Sequence, residues 1–381
     1  MFKLNSKIDN VRDYVIYKGK PYYINTSHEI QCDEKKQTLY KTPLNSMVVF
    51  NNRFYFSEWG GDNYKIFDKN LELIEEGKDK VFYKLSKFYI AYEQDENNTI
   101  LIDKKDNLIE LEYIDSSPIS VFSNEDIYIY IYIKNKIYDD VMSIRAFSIQ
   151  KKEHLWEFSL ASFGKWKNSW DEERYFEVYK LIGIYNNIFW AFIELGGFIG
   201  LDIETGELKY RIPEYDQAIG KTICKGKDFF RSDYFLNSEK GKILGMAMDV
   251  FIEIDLTQEP PFVTQYGLQE EFEKYNIKGK DTSTKYAVQD NLLYFYLFDQ
   301  LRFGILDINT KEIIYISEPI TVVERDYSFT RLRDLKVSEN KVYILDSNHT
   351  LHIFEREELN FELGTSCKLA PAGEAKSYYR N

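Results

Sequence analysis

The stretch Phe198-Ile-Gly-Leu-Asp-Ile-Glu-Thr-Gly-Glu-Leu-Lys-Tyr210 contains the local structure that recurs along the whole chain. An apolar run precedes Asp202, whose carboxylate can accept a backbone N–H two residues further on and so favours a turn. Gly206 provides the positive φ that such a turn requires. Leu208 and Tyr210 follow two residues apart, on one face of a second strand. The stretch therefore predicts a strand, a tight turn and a returning strand that ends in an aromatic residue.

Looser copies of this hairpin follow one another along the chain. Each copy has an apolar residue followed by a turn-opening residue that can accept a hydrogen bond. The eight turn-opening residues are Asp33, Asp68, Asp103, Ser148, Asp202, Asp255, Asp307 and Glu355. Further strand signals precede each turn, which gives about four short strands per unit.

Four-stranded units that repeat every ~40–50 residues are typical of a β-propeller. One sheet cannot bury both of its faces alone, so neighbouring sheets must cover each other, and a closed ring leaves no sheet exposed at an end. We therefore predict an all-β fold, a β-propeller of four-stranded blades. Eight blades fit the eight copies, and seven is the alternative if the first and last units share one blade. The predicted propeller domain spans residues 1–364, and residues 365–381 form an irregular C-terminal tail.

Two segments interrupt the repeat. Residues 161–176 lengthen the connection between units four and five. Residues 266–281 contain Leu268, Phe272 and Tyr275 at helical spacing, which predicts a helix of one or two turns in a loop. Neither interruption is a flexible linker rich in proline, glycine and serine, so the sequence predicts one domain.

Residues 182–201 are apolar over about the ~20 residues that a membrane-spanning helix needs. Asn186, Asn187 and Glu194 interrupt this run, and they favour two buried strands instead. The apolar segment 127–133 is too short to span a membrane, and it predicts a strand that is buried on both faces.

The repeated unit resembles that of the quinoprotein-type, or PQQ-like, β-propellers, in which a strand continues into Leu-Asp-x-x-Thr-Gly-x-x-x-Trp. The segments that carry the resemblance are 201–210, with Tyr for Trp, 306–315, without the glycine, and 147–156, without the aspartate. In that family the closing aromatic residue docks between adjacent blades. The resemblance therefore implies a structural role for Trp156, Tyr210 and Tyr315, and eight blades are common among its members.

The same family includes calcium- and quinone-dependent dehydrogenases as well as non-enzymatic scaffolds, and the fold alone does not choose between them. Its dehydrogenases use two adjacent cysteines beside the quinone, whereas Cys32, Cys224 and Cys367 are far apart in this sequence. The sequence also lacks a calcium-loop motif, a serine nucleophile elbow and a zinc-protease motif. We therefore expect the non-enzymatic branch, with no catalytic residue, no metal and no cofactor.

The charge balance limits the possible partners. The chain has 49 basic and 62 acidic residues and a formal net charge of −13. Since nucleic acids and anionic membranes are bound through Lys and Arg, neither is an expected partner. The excess of carboxylates suits a basic protein partner, and it suits solubility alone equally well. Three widely spaced cysteines and an N-terminus without an apolar signal segment lead us to expect a cytoplasmic monomer.

The two interrupting segments contain residue types that are frequent in protein interfaces. The candidate partner-binding residues are Trp166, Trp170, Asp171, Glu172, Glu173, Arg174, Glu270 and Glu271. A structural alternative exists for each segment. The tryptophans could pack on their own blade, and the helix could be solvated with its apolar side covering a blade edge.

These observations predict a non-catalytic, protein-binding propeller. One concrete form is an inhibitor or immunity protein that neutralises a basic toxin or another basic partner. Two alternatives stay open: an enzyme or a small-molecule or glycan binder with its site in the central channel, and a structural subunit of a larger assembly.

Overall fold

The computed structural model of the chain describes fifteen segments, and all structural statements below concern these residues. They are 2–39, 44–58, 63–84, 88–95, 98–112, 121–134, 141–167, 171–193, 197–212, 215–216, 221–222, 232–277, 282–297, 300–321 and 331–357. The described chain forms eight antiparallel sheets of four strands, which are the blades of a β-propeller. The predicted all-β fold and the count of eight blades are confirmed. The predicted C-terminal tail, 365–381, lies outside the described residues.

The first four blades follow chain order. Blade 1 consists of Val11–Tyr17, Lys20–Asn25, Glu29–Cys32 and Lys35–Thr38, and blade 2 of Leu44–Phe50, Arg53–Glu58, Tyr64–Asp68 and Leu73–Gly77. Blade 3 consists of Val81–Lys84, Tyr89–Asp95, Asn98–Asp103 and Leu108–Glu112, and blade 4 of Val121–Ser123, Ile127–Lys134, Val141–Ser148 and Glu153–Ser159. Residues 127–133 thus form the expected buried strand.

The next three blades also follow chain order. Blade 5 consists of Val178–Tyr185, Ile188–Ile193, Gly197–Asp202 and Leu208–Ile212, and blade 6 of Phe235–Asn237, Lys242–Ala247, Val250–Asp255 and Phe262–Gly267. Blade 7 consists of Thr282–Gln289, Leu292–Leu297, Arg302–Asp307 and Ile313–Ile316. The described residues of the apolar run, 182–193 and 197–201, therefore lie in three strands of blade 5 and a turn between the first two. No helix of the described chain is long and apolar enough to cross a bilayer.

Blade 8 is completed by the two ends of the described chain. Its first three strands are Leu332–Ser338, Lys341–Asp346 and Leu351–Arg356, and its fourth is the N-terminal strand Phe2–Ile8. Phe2 pairs with Arg356, and Ile8 pairs with Leu351. The backbone hydrogen bonds between these two strands close the ring.

The prediction that Glu355 opens a turn is wrong. Glu355 lies within the third strand of blade 8, where its carboxylate accepts hydrogen bonds from the side chains of Asn5 (2.8 Å) and Asn340 (3.1 Å). The outer strand that we expected after Glu355 comes instead from the N-terminus. The ring still has eight blades because the N-terminal strand precedes a complete blade 1.

The hydrophobic core lies between the blades. Eight clusters of buried side chains are present among the described residues, one at each interface between neighbouring blades. At the ring closure, for example, Val11 and Tyr14 of blade 1 pack against Tyr343 and Leu345 of blade 8. First strands contact each other at several boundaries, for example between blades 2 and 3 and between blades 7 and 8, so the first strand of each blade is innermost and the fourth is outermost.

The turn-opening aspartates bond as their sequence predicts. Asp202 Oδ1 accepts the backbone N–H groups of Glu204 and Thr205, both at 3.0 Å. Equivalent Asx turns are opened by Asp68, Asp103, Asp255 and Asp307. In blade 4 the Ser148 hydroxyl accepts the N–H of Lys151 at 3.2 Å, and in blade 1 Asp33 itself takes a positive φ of 52° in a two-residue turn.

The closing aromatic residues reach the next blade, as the resemblance implied. Trp156 Nε1 donates to the carbonyl of Ile203 in blade 5 at 2.8 Å, and the Tyr315 hydroxyl donates to the carbonyl of Phe2 in blade 8 at 3.2 Å. The Tyr210 hydroxyl donates to the carboxylate of Glu259, in the turn between the third and fourth strands of blade 6, at 2.5 Å. Other tyrosines make the same kind of link at further boundaries: Tyr22 to Lys69, Tyr89 to Glu125 and Tyr343 to Gly19.

We expect Gly206→Ala to destabilise the fold by about 1–3 kcal/mol, because the residue has a positive φ of 72°. A Cβ at this position would also lie 2.7 Å from Cδ2 of the docked Trp156 ring. The matched control is Gly267→Ala, where a Cβ meets no heavy atom within 4 Å. Chemical denaturation followed by tryptophan fluorescence measures both. Equal unfolding midpoints for the two variants would contradict the importance of the docked ring.

Candidate functional site

The antiparallel order of the strands gives the propeller two different faces. The turns between strands 1 and 2, and those between strands 3 and 4 of blades 1 to 7, lie at one end of the ring, which we call the turn face. Loops between strands 2 and 3 leave at the other end, together with the connections from blade to blade, and we call this end the connection face. Both segments that carry the candidate residues are blade-to-blade connections, so both lie on the connection face.

The first candidate segment is a small hairpin between blades 4 and 5. It begins with a 3-10 helix, Leu160–Phe163, and continues as two short paired strands, Lys165–Lys167 and Glu173–Tyr175. Leu160, Phe163 and Phe176 are buried in the core between these two blades. The base of the hairpin is therefore fixed by the same apolar packing that joins the blades.

Trp166 is half-buried and packs against the core between blades 4 and 5, which agrees with the structural alternative for this side chain. Its strand neighbour Arg174 is exposed. Trp170 lies outside the described residues. The guanidinium of Arg211 lies 4.1 Å from the ring centroid of Phe163 and holds the base of the hairpin from the blade 5 side.

The charged side chains of the hairpin are exposed and are paired within it. Arg174 forms an ion pair with Glu172 at 2.8 Å, and Lys167 forms one with Asp171 at 3.4 Å. Glu173 is exposed as well. Residues 165–174 contain three basic and three acidic side chains. The hairpin therefore carries charges of both signs but no net charge.

The second candidate segment is the predicted helix, which spans Gln269–Glu273 between blades 6 and 7. Leu268, Phe272 and Ile277 are buried in the core between these blades, so the apolar side of the segment covers a blade edge. Tyr275 belongs to the same side, and its hydroxyl donates to the carbonyl of Ile313 at 2.8 Å.

The two candidate glutamates of the helix have different environments. Glu271 turns inward, where its carboxylate accepts the backbone N–H of Ile313 at 3.1 Å and pairs with Lys274 at 2.6 Å. Glu271 and Tyr275 thus bond the N–H and the carbonyl of one residue on the outer strand of blade 7. Glu270 is exposed and is available to a partner.

A second short hairpin, Tyr215–Asp216 with Lys221–Thr222, belongs to the connection between blades 5 and 6. Every described extra element therefore belongs to the connection face of blades 4 to 7. The candidate residues form two separate patches on this face, one at the 4–5 boundary and one at the 6–7 boundary.

A buried aspartate–histidine pair is the feature that most resembles catalytic chemistry. His352 Nε2 lies 2.9 Å from Asp346 Oδ2, and the other oxygen of Asp346 accepts the N–H groups of Asn348 and Thr350. Asp346 is 1% exposed and His352 is 2% exposed, so no substrate reaches either group. The pair fixes the loop between the second and third strands of blade 8.

Burial by itself would raise the pKa of Asp346. The hydrogen bonds from His352, Thr350 and Asn348 outweigh this effect and hold its pKa below the ordinary carboxyl value. Within the described residues, no group of three or more His, Cys, Asp or Glu side chains is arranged to hold a metal ion.

The sequence reasoning missed one group of charged residues. The first strands of blades 1 and 8 begin with the same four-residue pattern, Val11-Arg-Asp-Tyr14 and Leu332-Arg-Asp-Leu335. The repeat is visible in the sequence, but only the ring closure shows that these two strands are neighbours. An alignment on the turns between strands 3 and 4 does not bring them together.

No protein-family model matches the chain, and no curated protein matches it. Solved structures do resemble it. BamB from Moraxella catarrhalis is 8% identical, with a TM-score of 0.55 over 93% of this chain and 100% of that one. Sqt1 from Saccharomyces cerevisiae is 9% identical, with a TM-score of 0.56 over 93% of this chain and 99% of that one. Both are β-propellers, and at these identities the likeness concerns the fold alone.

We expect Glu271→Ala to destabilise the protein by about 1–3 kcal/mol, because it leaves the Ile313 N–H without its acceptor. Glu270→Ala removes an exposed carboxylate from the same helix and should change stability by no more than about 0.5 kcal/mol. Urea unfolding of both variants checks this difference. If Glu270→Ala cost as much as Glu271→Ala, the contact with the outer strand would not explain the loss.

We also expect Asp346 to contribute to acid sensitivity. Its folded pKa is below the ordinary carboxyl value of about 3.9, so the charged form stabilises the fold above that pH. This contribution disappears as the pH falls through the lower folded pKa. The free energy of unfolding of the wild type should therefore fall more steeply between about pH 5 and about pH 2 than that of Asp346→Asn.

Unfolding by urea at a series of pH values measures these slopes. The exposed Asp290→Asn variant is the control, and it should keep the wild-type slope. Identical slopes for the wild type and Asp346→Asn would show that the buried pair has no part in the acid response.

Proposed function

We propose that this protein is a non-catalytic, protein-binding β-propeller whose docking surface is the connection face of blades 4 to 7. One observation carries the proposal. The additional elements of the described chain are concentrated on that face, and the two larger ones are anchored by buried apolar side chains while their charged side chains, except that of Glu271, stay exposed.

Anchoring matters because a surface that is already ordered loses little conformational entropy on binding. The base of the hairpin is held by Leu160, Phe163 and Phe176, and the helix is held by Phe272 and Ile277. Both elements are thus presented to a partner in one conformation. Asp171, Glu172, Glu173 and Arg174 supply polar contacts of defined position at the 4–5 boundary, and Glu270 adds an exposed carboxylate at the 6–7 boundary.

The charge of the chain supports a basic partner. A net charge of −13 attracts a cationic protein at long range and raises its association rate. The hairpin itself has no net charge. Its positive and negative side chains therefore contribute to specificity once the partner is in contact, and not to long-range attraction. An inhibitor or immunity protein that covers a cationic toxin is the concrete form that we propose.

Non-enzymatic function is part of the same proposal. The adjacent cysteines of the quinone-dependent propellers are missing from the sequence. The aspartate–histidine pair is buried and serves the fold. BamB and Sqt1 resemble this chain in fold alone, so the proposal rests on the connection-face elements.

The test is affinity capture from the native host with two matched variants of the full chain. One variant removes four carboxylates from the connection face by Asp171→Asn, Glu172→Gln, Glu173→Gln and Glu270→Gln. The other removes four exposed carboxylates from the turn face by Glu34→Gln, Glu72→Gln, Glu204→Gln and Glu239→Gln. Wild type and the turn-face variant should capture the same basic protein, and the connection-face variant should bind it at least about tenfold more weakly.

The turn-face variant is the matched control, because both variants lose four negative charges and therefore have the same net charge. Co-expression of the captured protein with this chain should then relieve any toxicity that the captured protein shows alone. The proposal fails if no stable partner is captured, or if both variants lose the partner equally.

A further inference from the structure

The first strands of blades 1 and 8 share an irregularity at their connection-face ends. Their pairing with the second strand shifts by one residue between Val11 and Asp13 and between Leu332 and Asp334. The extra residue of each β-bulge is therefore an arginine, Arg12 or Arg333. A bulge turns its extra side chain away from the regular alternation of the strand.

The burial pattern shows where these arginines point. Val11 and Tyr14 are buried at the interface between blades 8 and 1, and Leu332 is buried at the interface between blades 7 and 8. Arg12 and Arg333 are exposed. Since the first strand is the innermost strand of its blade, the solvent that reaches these side chains is that of the central channel and its mouth on the connection face.

Contacts at the ring closure bring the two strands together. Lys336 Nζ donates to the carbonyl of Tyr14 at 2.5 Å and lies 4.0 Å from the centroid of its ring. The Tyr14 hydroxyl in turn donates to the carbonyl of Tyr343 at 3.0 Å. Arg12 and Arg333, at equivalent positions of these adjacent strands, therefore occupy one sector of the channel mouth.

The carboxylates beside the arginines are already oriented by the backbone. Asp13 Oδ1 accepts the N–H of Tyr14 at 2.7 Å, and Asp334 Oδ1 accepts the N–H of Leu335 at 3.0 Å. Asp334 also pairs with Lys336 at 2.9 Å. These five side chains, three cationic and two anionic, carry an excess of one positive charge in a protein of net charge −13.

Among the described side chains, the guanidinium groups of Arg12 and Arg333 have no charged partner. Neither guanidinium forms an ion pair or a side-chain hydrogen bond with the described part of the chain. On blade 5 the extra residue of the corresponding bulge is Tyr179, which carries no charge. The next residue, Lys180, forms an ion pair with Asp233 in the connection to blade 6.

We propose that Arg12 and Arg333 form a binding site for a small oxyanion, a carboxylate or phosphate group, at the channel mouth. A guanidinium presents parallel N–H donors that match the oxygens of such groups, and two of them can hold one ligand from two sides. The sector lies apart from the hairpin and the helix, so this site is independent of the proposed protein-binding surface. Asp13 limits the affinity because its carboxylate lies beside the anion.

The experiment is isothermal titration of the full chain with citrate and, separately, with inorganic phosphate, at constant ionic strength adjusted with sodium chloride. We expect saturable 1:1 binding of at least one probe. Arg12→Gln and Arg333→Gln should each weaken it about tenfold, and the double variant should abolish it. Asp13→Asn should strengthen binding, because it removes a negative charge next to the ligand.

Arg174→Gln is the control, because it removes one positive charge from the hairpin on the same face and should leave anion binding unchanged. Thermal unfolding of each variant shows that it is folded. The proposal is overturned if the wild type binds neither probe, if the double variant still binds, or if Asp13→Asn weakens binding. Failure of the host capture experiment leaves this result standing, since the hairpin and the arginines are varied separately.

Discussion

The whole structure depends on the burial of one sheet against the next. Every blade has two apolar faces, and the core is divided into eight clusters that lie between neighbours. Fully burying a Phe or Leu side chain contributes about 1.5–3 kcal/mol, whereas a typical hydrogen bond contributes only about 1 kcal/mol net. Apolar burial therefore dominates each interface. Blades 8 and 1 each have a second neighbouring blade only because the ring closes.

Hydrogen bonds and docked aromatic rings align the blades that burial holds together. The Asx turns on the turn face form the receiving surface for the aromatic residue of the preceding blade, as Trp156 shows at Ile203 and Gly206. Tyrosine suits this role because its ring packs in the interface while its hydroxyl reaches a carbonyl of the neighbouring blade. Tyr22, Tyr89 and Tyr343 repeat the device at other boundaries, which explains part of the high tyrosine content.

The blades repeat one regular structure, so functional residues are expected in the parts of the chain that depart from it. Blade-to-blade connections can grow without disturbing the blades, because they leave from one face and their apolar residues can join an existing interface. The hairpin after blade 4 and the helix after blade 6 both follow this arrangement. Arg12 and Arg333 are a smaller departure, because they stand at a bulge that the first strands of blades 2 and 5 share without an arginine. In both places exposed charged side chains are held on a rigid support, an arrangement that suits the recognition of a binding partner.

Local patterns in the sequence determined the repeating unit and much of its detail. The Asp-x-x-Thr-Gly turn, the short helix and the repeated unit of the eight blades follow from residues close together in the chain, because turns and strand alternation are set by local chemistry. The docking role of Trp156, Tyr210 and Tyr315 was implied by the family resemblance. Reasoning from local patterns also placed Trp166 and Glu271 among candidate partner-binding residues, since a sequence pattern does not show which way a side chain turns. Glu271 turns inward to Ile313, a residue 42 positions away.

Only the tertiary structure decided how the ring closes and which residues that closure brings together. The outer strand of blade 8 comes from the N-terminus, so Glu355 lies within a strand and opens no turn. The same closure makes Arg12 and Arg333 neighbours, although 320 residues separate them in the chain. Pairing between distant segments depends on which faces remain to be buried once every other blade has formed. That condition belongs to the whole ring, and no local stretch of sequence contains it.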